Sequence, residues 1–186
     1  MEASTGKVLH NVNAGEAMPP ASMTKTMTEY IVGKQVNQGR ISWEDIVEVG
    51  DNAAKSIGSR VYLTKGEKHT VKELYTAMEI GSANDATVAL AEYISGSELD
   101  FLKLMNDEAQ RMGTKDIYYI NTTGLNREDM PEEYRPAEDI ETMMSALDAA
   151  ILCRNIIQDF PSIGISQLSN QDHDPIEVAI LAAFLF

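Results

Sequence analysis

Residues 19–25 read Pro-Pro-Ala-Ser-Met-Thr-Lys and open the first segment of the chain with a helical pattern. Apolar residues recur at helical spacing through residues 22–37, and Gly39 follows them, so we predict a helix here. Residues three apart share a helix face, which places Ser22 beside Lys25. A serine hydroxyl becomes an effective nucleophile when a base lies within hydrogen-bond reach. The stretch therefore predicts a serine nucleophile with a lysine base.

The Ser-x-x-Lys spacing is weak evidence for a catalytic pair on its own. It occurs a second time, at residues 4–7, in a turn where no helix would align the pair. Ser22 also stands where a helix N-cap is expected, and a capping serine needs no chemistry. For Lys25 to accept a proton, burial or a nearby positive charge must lower its pKa. The free backbone amides of a first helical turn would favour a developing oxyanion beside Ser22.

A second polar turn, residues 81–85, reads Gly-Ser-Ala-Asn-Asp and separates two further helical patterns. It contains the one Ser-x-Asn of the chain. The hydroxyl of Ser82 can relay a proton between Lys25 and a leaving amine, while Asn84 can hydrogen-bond a substrate amide or the lysine. The alternative is an ordinary polar turn in which Asn84 or Asp85 caps the next helix. Together the two turns predict half of an active site.

Helical patterns dominate the rest of the chain, and the strand patterns are short. There is no internal repeat or linker, so residues 1–186 are expected to form a single domain. The predicted fold class is α+β and mostly helical. The further predicted elements are helices over 71–80, 86–94, 99–112 and 143–157, strands near 46–49 and 117–120, and a hairpin at residues 2–10.

The composition excludes several classes of function. The chain of 186 residues has a formal net charge of −14, which argues against nucleic acid as a partner, because clustered Lys and Arg hold a phosphate backbone. His10, His69 and His173 lack ligand spacing, so neither a metal site nor a Ser-His-Asp triad is predicted. Without a glycine-rich phosphate loop, no cofactor is predicted either. The sequence does not indicate an oligomeric state.

Five ordered motifs between residues 2 and 165 match one known family. They are Thr5-Gly6-Lys7-Val8-Leu9, Pro20-Ala21-Ser22-Met23-Thr24-Lys25 with Met27-Thr28, Gly81-Ser82-Ala83-Asn84-Asp85-Ala86, Asn121-x-x-Gly124-Leu125 and Met144-Ser145-Ala146-x-Asp148. On these motifs the chain resembles the low-molecular-mass penicillin-binding proteins that act as serine-type D-Ala-D-Ala carboxypeptidases. The resemblance implies the transpeptidase fold that these proteins share with β-lactamases.

The resemblance also implies a mechanism and a substrate. Ser22 would attack the carbonyl between the terminal D-alanines of a peptidoglycan pentapeptide, and water would release the acyl-enzyme. Lys25 would be the general base, while Ser82 and Asn84 would assist proton transfer and substrate orientation. β-Lactam antibiotics would acylate the same serine. By the same resemblance the protein would work outside the cytoplasm at the cell envelope, although the sequence shows neither a signal peptide nor a membrane-spanning segment.

One motif of the family has no match in this chain. Lys-Thr-Gly, which edges the active site and holds the terminal carboxylate of the substrate, occurs nowhere in the sequence. The tail, residues 167–186, does not match the family, so we expect the C-terminal strands of the domain to be missing. A fragment or frameshifted product is favoured over a shortened homologue whose apolar tail replaces those strands. Either case predicts strongly reduced or absent turnover.

Two other functions stay open at this point. A class A β-lactamase shares Ser-x-x-Lys, but it has Ser-Asp-Asn where this chain has Ser82-Ala83-Asn84. It also needs a deacylating glutamate that the sequence does not locate. The other alternative is a non-catalytic helical domain that keeps the ancestral motifs and binds a peptide or a partner. The absence of Lys-Thr-Gly favours that alternative.

Overall fold

The computed structural model describes residues 1–160, which fold into six α-helices and four short strands. The helices are α1 (Lys25–Asn37), α2 (Asp51–Lys55), α3 (Val71–Gly81), α4 (Asn84–Ser95), α5 (Glu98–Met112) and α6 (Ala146–Asp159). The strands are β1 (Ala17–Met18), β2 (Ile46–Glu48), β3 (Lys68–Thr70) and β4 (Met144–Ser145). None of these six helices has both the length and the apolar character that crossing a bilayer requires. The fold is α+β and mostly helical, as the sequence predicts.

The strands form two small antiparallel pairs. β1 pairs with β4, so that Ala17 lies opposite Ser145. β2 pairs with β3, with Val47 opposite His69. Within residues 1–160 each sheet has two strands. The first pair ties the segment before the Ser-x-x-Lys turn to the start of α6.

Two predicted strand regions differ from the structure. The hairpin predicted at residues 2–10 is wrong beyond its turn, where Gly6 adopts a φ of +74°. The segment 117–120 contributes one isolated bridge, between Tyr118 and Met143, instead of a strand. A strand is stable when its backbone groups pair with a neighbour, and neither segment has a partner along its length in the described part of the chain.

Side-chain caps fix the starts of two long helices. Thr70 accepts a hydrogen bond from the backbone of Glu73, and the Glu73 carboxylate accepts one from the backbone of Thr70 in return. This reciprocal capping box starts α3 at the residue that the pattern predicts. Ser97 caps α5 by accepting from the backbone of Asp100. Local sequence therefore sets where these helices begin.

The central helix is α4, which packs against α1, α2, α3 and α5. Its residues 84–91 are all buried. Ala86, Ala89 and Ala91 leave room for neighbouring helices to approach closely, and Leu90 fills the space between them. Because α3 and α4 flank the Ser-x-Asn turn, this packing fixes the turn beside the start of α1.

Trp43 packs on α3 from the segment that precedes β2. Its ring lies 5.1 Å from the ring of Tyr75, centroid to centroid, at an interplanar angle of 72°. This is the edge-to-face geometry that aromatic pairs prefer. Tyr75 is buried, so the contact joins Trp43 to the main core.

Candidate active site

Ser22 lies in a 3₁₀ turn, Ala21–Thr24, which runs directly into α1. Its side chain is exposed, whereas Lys25 is 3% exposed. Lys25 Nζ donates a hydrogen bond to Ser22 Oγ at 3.1 Å. The structure therefore brings together the two side chains that the three-residue spacing pairs. Their catalytic roles stay predictions.

The Lys25 ammonium is buried and has a second acceptor. Nζ donates to the backbone carbonyl of Thr123 at 3.0 Å. Burial lowers the pKa of Lys25 to about 8, and the negative charge of Glu29 opposes this change. A lysine with a pKa near 8 carries a sizeable neutral fraction at physiological pH, which is the condition for a general base.

Ser82 follows the last residue of α3 and reaches Ser22. Its Oγ donates to Ser22 Oγ at 3.0 Å, so the Ser22 oxygen contacts both Lys25 Nζ and Ser82 Oγ. Ser82 adopts a left-handed backbone with φ of +50°. Such a conformation is uncommon for residues other than glycine and clusters at functional sites. The three side chains form a continuous path along which a proton can move.

Asn84 begins α4 and is turned toward the chain segment that follows α2. Its Nδ2 donates to the carbonyl of Ile57 at 2.6 Å, and its backbone N–H donates to the carbonyl of Ser59 at 2.7 Å. Of the four predicted site residues, the structure joins three by hydrogen bonds, whereas Asn84, two positions after Ser82 in the chain, bonds to this segment. Its part in orienting a substrate stays a prediction.

The loop that starts at Asn121 supports the site from the opposite side. Asn121 Oδ1 accepts hydrogen bonds from the backbone N–H groups of Thr123 and Gly124, which aims the Thr123 carbonyl at Lys25. Gly124 has a φ of +82°, and a Cβ there would lie 1.8 Å from the carbonyl oxygen of Ala21. The sequence predicts no role for Thr123, although the Asn-x-x-Gly-Leu motif that surrounds it is one of the five family motifs.

Asp85 also supports the site. The sequence suggests a helix cap at this position, but the structure shows that its side chain contacts a distant segment as well. Its two carboxylate oxygens accept hydrogen bonds from the backbone of Val61 at 3.2 Å and of Leu63 at 2.9 Å. It is 1% exposed. Asp85 therefore holds the segment that contacts Asn84. The local sequence does not predict this contact, because the partners lie more than 20 positions apart in the chain.

The family of the chain follows from comparison with known proteins. Residues 1–176 match the model of the D-alanyl-D-alanine carboxypeptidase family. The chain belongs to this family. The resemblance inferred from the five motifs is thus confirmed. The match ends inside the tail of residues 167–186, whose separation from the domain stays a prediction.

Relatives with known names and structures agree with this assignment. The chain is 43% identical over 147 residues to the D-alanyl-D-alanine carboxypeptidase DacF of Bacillus subtilis, covering 79% of this chain and 37% of that protein. The crystal structure of a peptidoglycan synthesis regulatory factor (PBP3) from Streptococcus pneumoniae superposes with a TM-score of 0.79 at 36% identity, covering 87% of this chain and 46% of that one. The predicted penicillin-binding-protein fold is confirmed.

A third relative was solved with a β-lactam. Penicillin-binding protein D2 from Listeria monocytogenes, in its ampicillin-bound form, superposes with a TM-score of 0.69 at 26% identity. The match covers 87% of this chain and 60% of that one. The present chain spans 37–40% of the length of the first curated carboxypeptidases that it matches.

Proposed function

We propose that the chain forms a covalent acyl-enzyme on Ser22 and acts on D-Ala-D-Ala peptides of peptidoglycan as a serine-type carboxypeptidase. One observation carries the proposal: Ser22 Oγ has Lys25 Nζ at 3.1 Å and Ser82 Oγ at 3.0 Å. Membership of the carboxypeptidase family supports the substrate class. Because this substrate belongs to the cell wall, the proposed place of action is the cell envelope.

The first step is nucleophilic attack. Neutral Lys25 accepts the proton of the Ser22 hydroxyl as the serine oxygen bonds to the carbonyl carbon of the penultimate D-alanine. The carbonyl π electrons move onto its oxygen, and the positive end of the helix dipole beside Ser22, where the 3₁₀ turn runs into α1, favours this negative charge. Exposure of Ser22 gives substrate access, while burial of Lys25 keeps the lysine pKa low.

The second step expels the terminal D-alanine. Lys25 returns its proton through Ser82 to the leaving nitrogen, the C–N bond breaks, and the acyl group stays on Ser22. Water then attacks the ester carbonyl while Lys25 accepts a proton from the water. The bond between the acyl carbon and Ser22 Oγ breaks, Oγ takes the proton back from Lys25, and the shortened peptide leaves as a carboxylic acid. A β-lactam would also undergo attack by Ser22 and cleavage of its ring C–N bond, with its nitrogen taking the proton. That nitrogen stays tethered to the acyl group, so the step that slows is the attack of water on the ester.

The absence of Lys-Thr-Gly from the sequence limits the proposed rate. In the family, that motif holds the terminal carboxylate of the substrate, and an oxyanion donor lies beside it. Loss of one oxyanion donor typically costs about 10²- to 10³-fold in rate. We therefore propose slow acylation and weak turnover for this chain.

Intact mass spectrometry of the chain after incubation with ampicillin tests the proposal. We expect an adduct of one ampicillin that Ser22→Ala abolishes. Ser4→Ala is the matched control, since Ser4 heads the other Ser-x-x-Lys of the sequence, and it should keep the adduct. Release of D-alanine from a Lys-D-Ala-D-Ala peptide then measures turnover.

The same experiment separates the alternatives. An adduct that disappears within seconds would instead indicate a β-lactamase. Complete absence of an adduct in the parent chain would reject the proposal in favour of a non-catalytic binding domain, which the missing Lys-Thr-Gly also supports.

A further inference from the structure

A buried carboxyl, Glu29, lies one turn beyond Lys25 on α1. Residues 22, 25 and 29 follow the spacing of a single helix face. Glu29 is 9% exposed, and its Oε2 has no hydrogen-bond partner among residues 1–160. Burying a carboxyl without full hydrogen bonding is costly, so such a group calls for a reason.

Two charged groups of the described residues act on Glu29, namely Lys25 from the same helix and Glu79 from α3. Burial and the negative charge of Glu79 raise the pKa of Glu29 to about 8, while Lys25 opposes the rise. The pKa of Lys25 falls to about 8. Residues four apart on a helix are neighbours, so the charge of Glu29 acts on Lys25 and the two groups titrate as a coupled pair.

We propose that Glu29 is a positioning residue for the acyl transfer, a buried carboxyl one helical turn from Lys25 whose charge sets how much of the lysine is free base. When Glu29 is protonated, it carries no negative charge to hold the proton on Nζ, so more of Lys25 is free base and can accept the proton of Ser22. When Glu29 is ionised, its charge holds the proton on the lysine. Glu29 itself does not touch the substrate.

Glu79 biases the protonation of Glu29. Its negative charge disfavours a second carboxylate nearby, so it favours the neutral form of Glu29 and hence the free base of Lys25. Ser22, Lys25 and Glu29 thus follow one face of α1 from the exposed nucleophile to a buried carboxyl, and Glu79 acts on that carboxyl from α3. This inference rests on the proposed role of Lys25 as base and adds the groups that control it.

The test measures the protonation of Lys25 without relying on activity. In the full chain labelled with [¹³C]lysine, the Cε resonance of Lys25 is followed by NMR from about pH 5 to about pH 11, a range that spans both ordinary pKa values and the shifted ones. Its loss in Lys25→Ala assigns it. In Glu29→Gln the charge that holds the proton is gone, so the midpoint should fall by about one pH unit.

The second variant should shift the midpoint in the other direction. In Glu79→Gln the carboxyl of Glu29 ionises more readily, so the Lys25 midpoint should rise by about half a pH unit. Glu128→Gln, at an exposed position outside the site, is the matched control and should leave the midpoint unchanged. Loosened packing would not move two neighbouring variants in opposite directions.

Unchanged midpoints, or shifts of both variants in one direction, would overturn the proposal. Circular dichroism checks that the variants fold. If one of them does not fold, the direction in which the other shifts the Lys25 midpoint decides whether the proposal holds. The pH dependence of ampicillin adduct formation is a second readout, which should move with the Lys25 midpoint. A parent chain without any adduct would reject the proposed function, whereas the NMR titration would still decide the role of Glu29.

Discussion

At the scale of single residues, the site depends on two residues held in unfavourable states, one with a strained backbone and one with a buried amine. Ser82 keeps a left-handed backbone, and Lys25 keeps an amine in an apolar interior. Each costs folding free energy, on the order of 1 kcal/mol or more. The surrounding packing of α1, α3 and α4 maintains both, which makes the polar path from Lys25 to Ser82 available before a substrate arrives.

Ser82→Ala tests the proton path directly. Alanine has the same Cβ, so the backbone strain at this position is unchanged while the hydroxyl is lost. We expect ampicillin adduct formation on Ser22 to slow by about 10²-fold, as for loss of one proton-transfer group, with little change in the free energy of unfolding. Time-resolved intact mass spectrometry measures the rate.

Ser95→Ala, at the end of α4, is the matched control for this substitution and should react at the parent rate. If Ser82→Ala also reacts at that rate, Ser82 does not carry the proton, and its contact with Ser22 is structural only.

The sequence predicts the local part of this site and not the distant part. Ser22 and Lys25 are three positions apart, so helix geometry alone pairs them. Ser82 lies 60 positions from Ser22 in the chain, so no local geometry pairs them. Their meeting was predicted from the complementary chemistry of the two turns and from the family resemblance. The Thr123 carbonyl lies 98 positions from Lys25. A backbone acceptor has no residue type that would mark it, so sequence reasoning could not assign its role.

At the scale of elements, length decided what could be predicted. The longer helices show several turns of apolar periodicity and were predicted to within a few residues of their ends. The short elements α2, β1, β3 and β4 have two to five residues, too few for a period to show, and they were not predicted. β2, with three residues, was predicted because strand-forming residues occupy the run 46–49. The hairpin at residues 2–10 failed for a different reason, because strand formation depends on a partner that the local sequence does not contain.

Gly124→Ala tests how the Asn121 loop is docked on the Ser-x-x-Lys turn. The new Cβ would collide with the carbonyl oxygen of Ala21, so the turn or the loop must move. We expect a loss of about 2 to 4 kcal/mol in the free energy of unfolding, measured by urea denaturation, together with slower acylation of Ser22.

Gly113→Ala separates the collision from backbone strain. Gly113 has a φ of +84°, close to that of Gly124, and no atom lies within 4 Å of its would-be Cβ. Backbone strain alone should lower the free energy of unfolding of Gly113→Ala by about 1 kcal/mol. Equal losses in the two variants would show that the loop adapts to the added methyl group.

At the scale of the whole molecule, buried charge links stability to pH. The pKa of Glu29 is about 8 in the folded state against an ordinary value of 4.5, so the folded chain binds this proton more tightly than the unfolded chain. The contribution of Glu29 to stability therefore falls as the pH rises from about 4.5 to about 8. In Glu29→Gln this fall is absent.

We compare the free energy of unfolding of Glu29→Gln with that of the parent. We expect the difference, variant minus parent, to increase by on the order of a few kcal/mol between pH 4.5 and pH 8. Urea denaturation at the two pH values measures it, with Glu128→Gln as the control whose difference from the parent stays constant. Parallel pH curves for Glu29→Gln and the parent would contradict the buried, proton-holding state of Glu29.

The contact between Trp43 and Tyr75 has a spectroscopic consequence. Trp43 is the one tryptophan of the chain, so all indole emission comes from a ring that rests on α3. Its wavelength and intensity will change if α3 separates from that ring. Because α3 leads directly to Ser82, fluorescence without any added label reports whether the helix that carries this hydroxyl stays in place during titration, unfolding or drug binding.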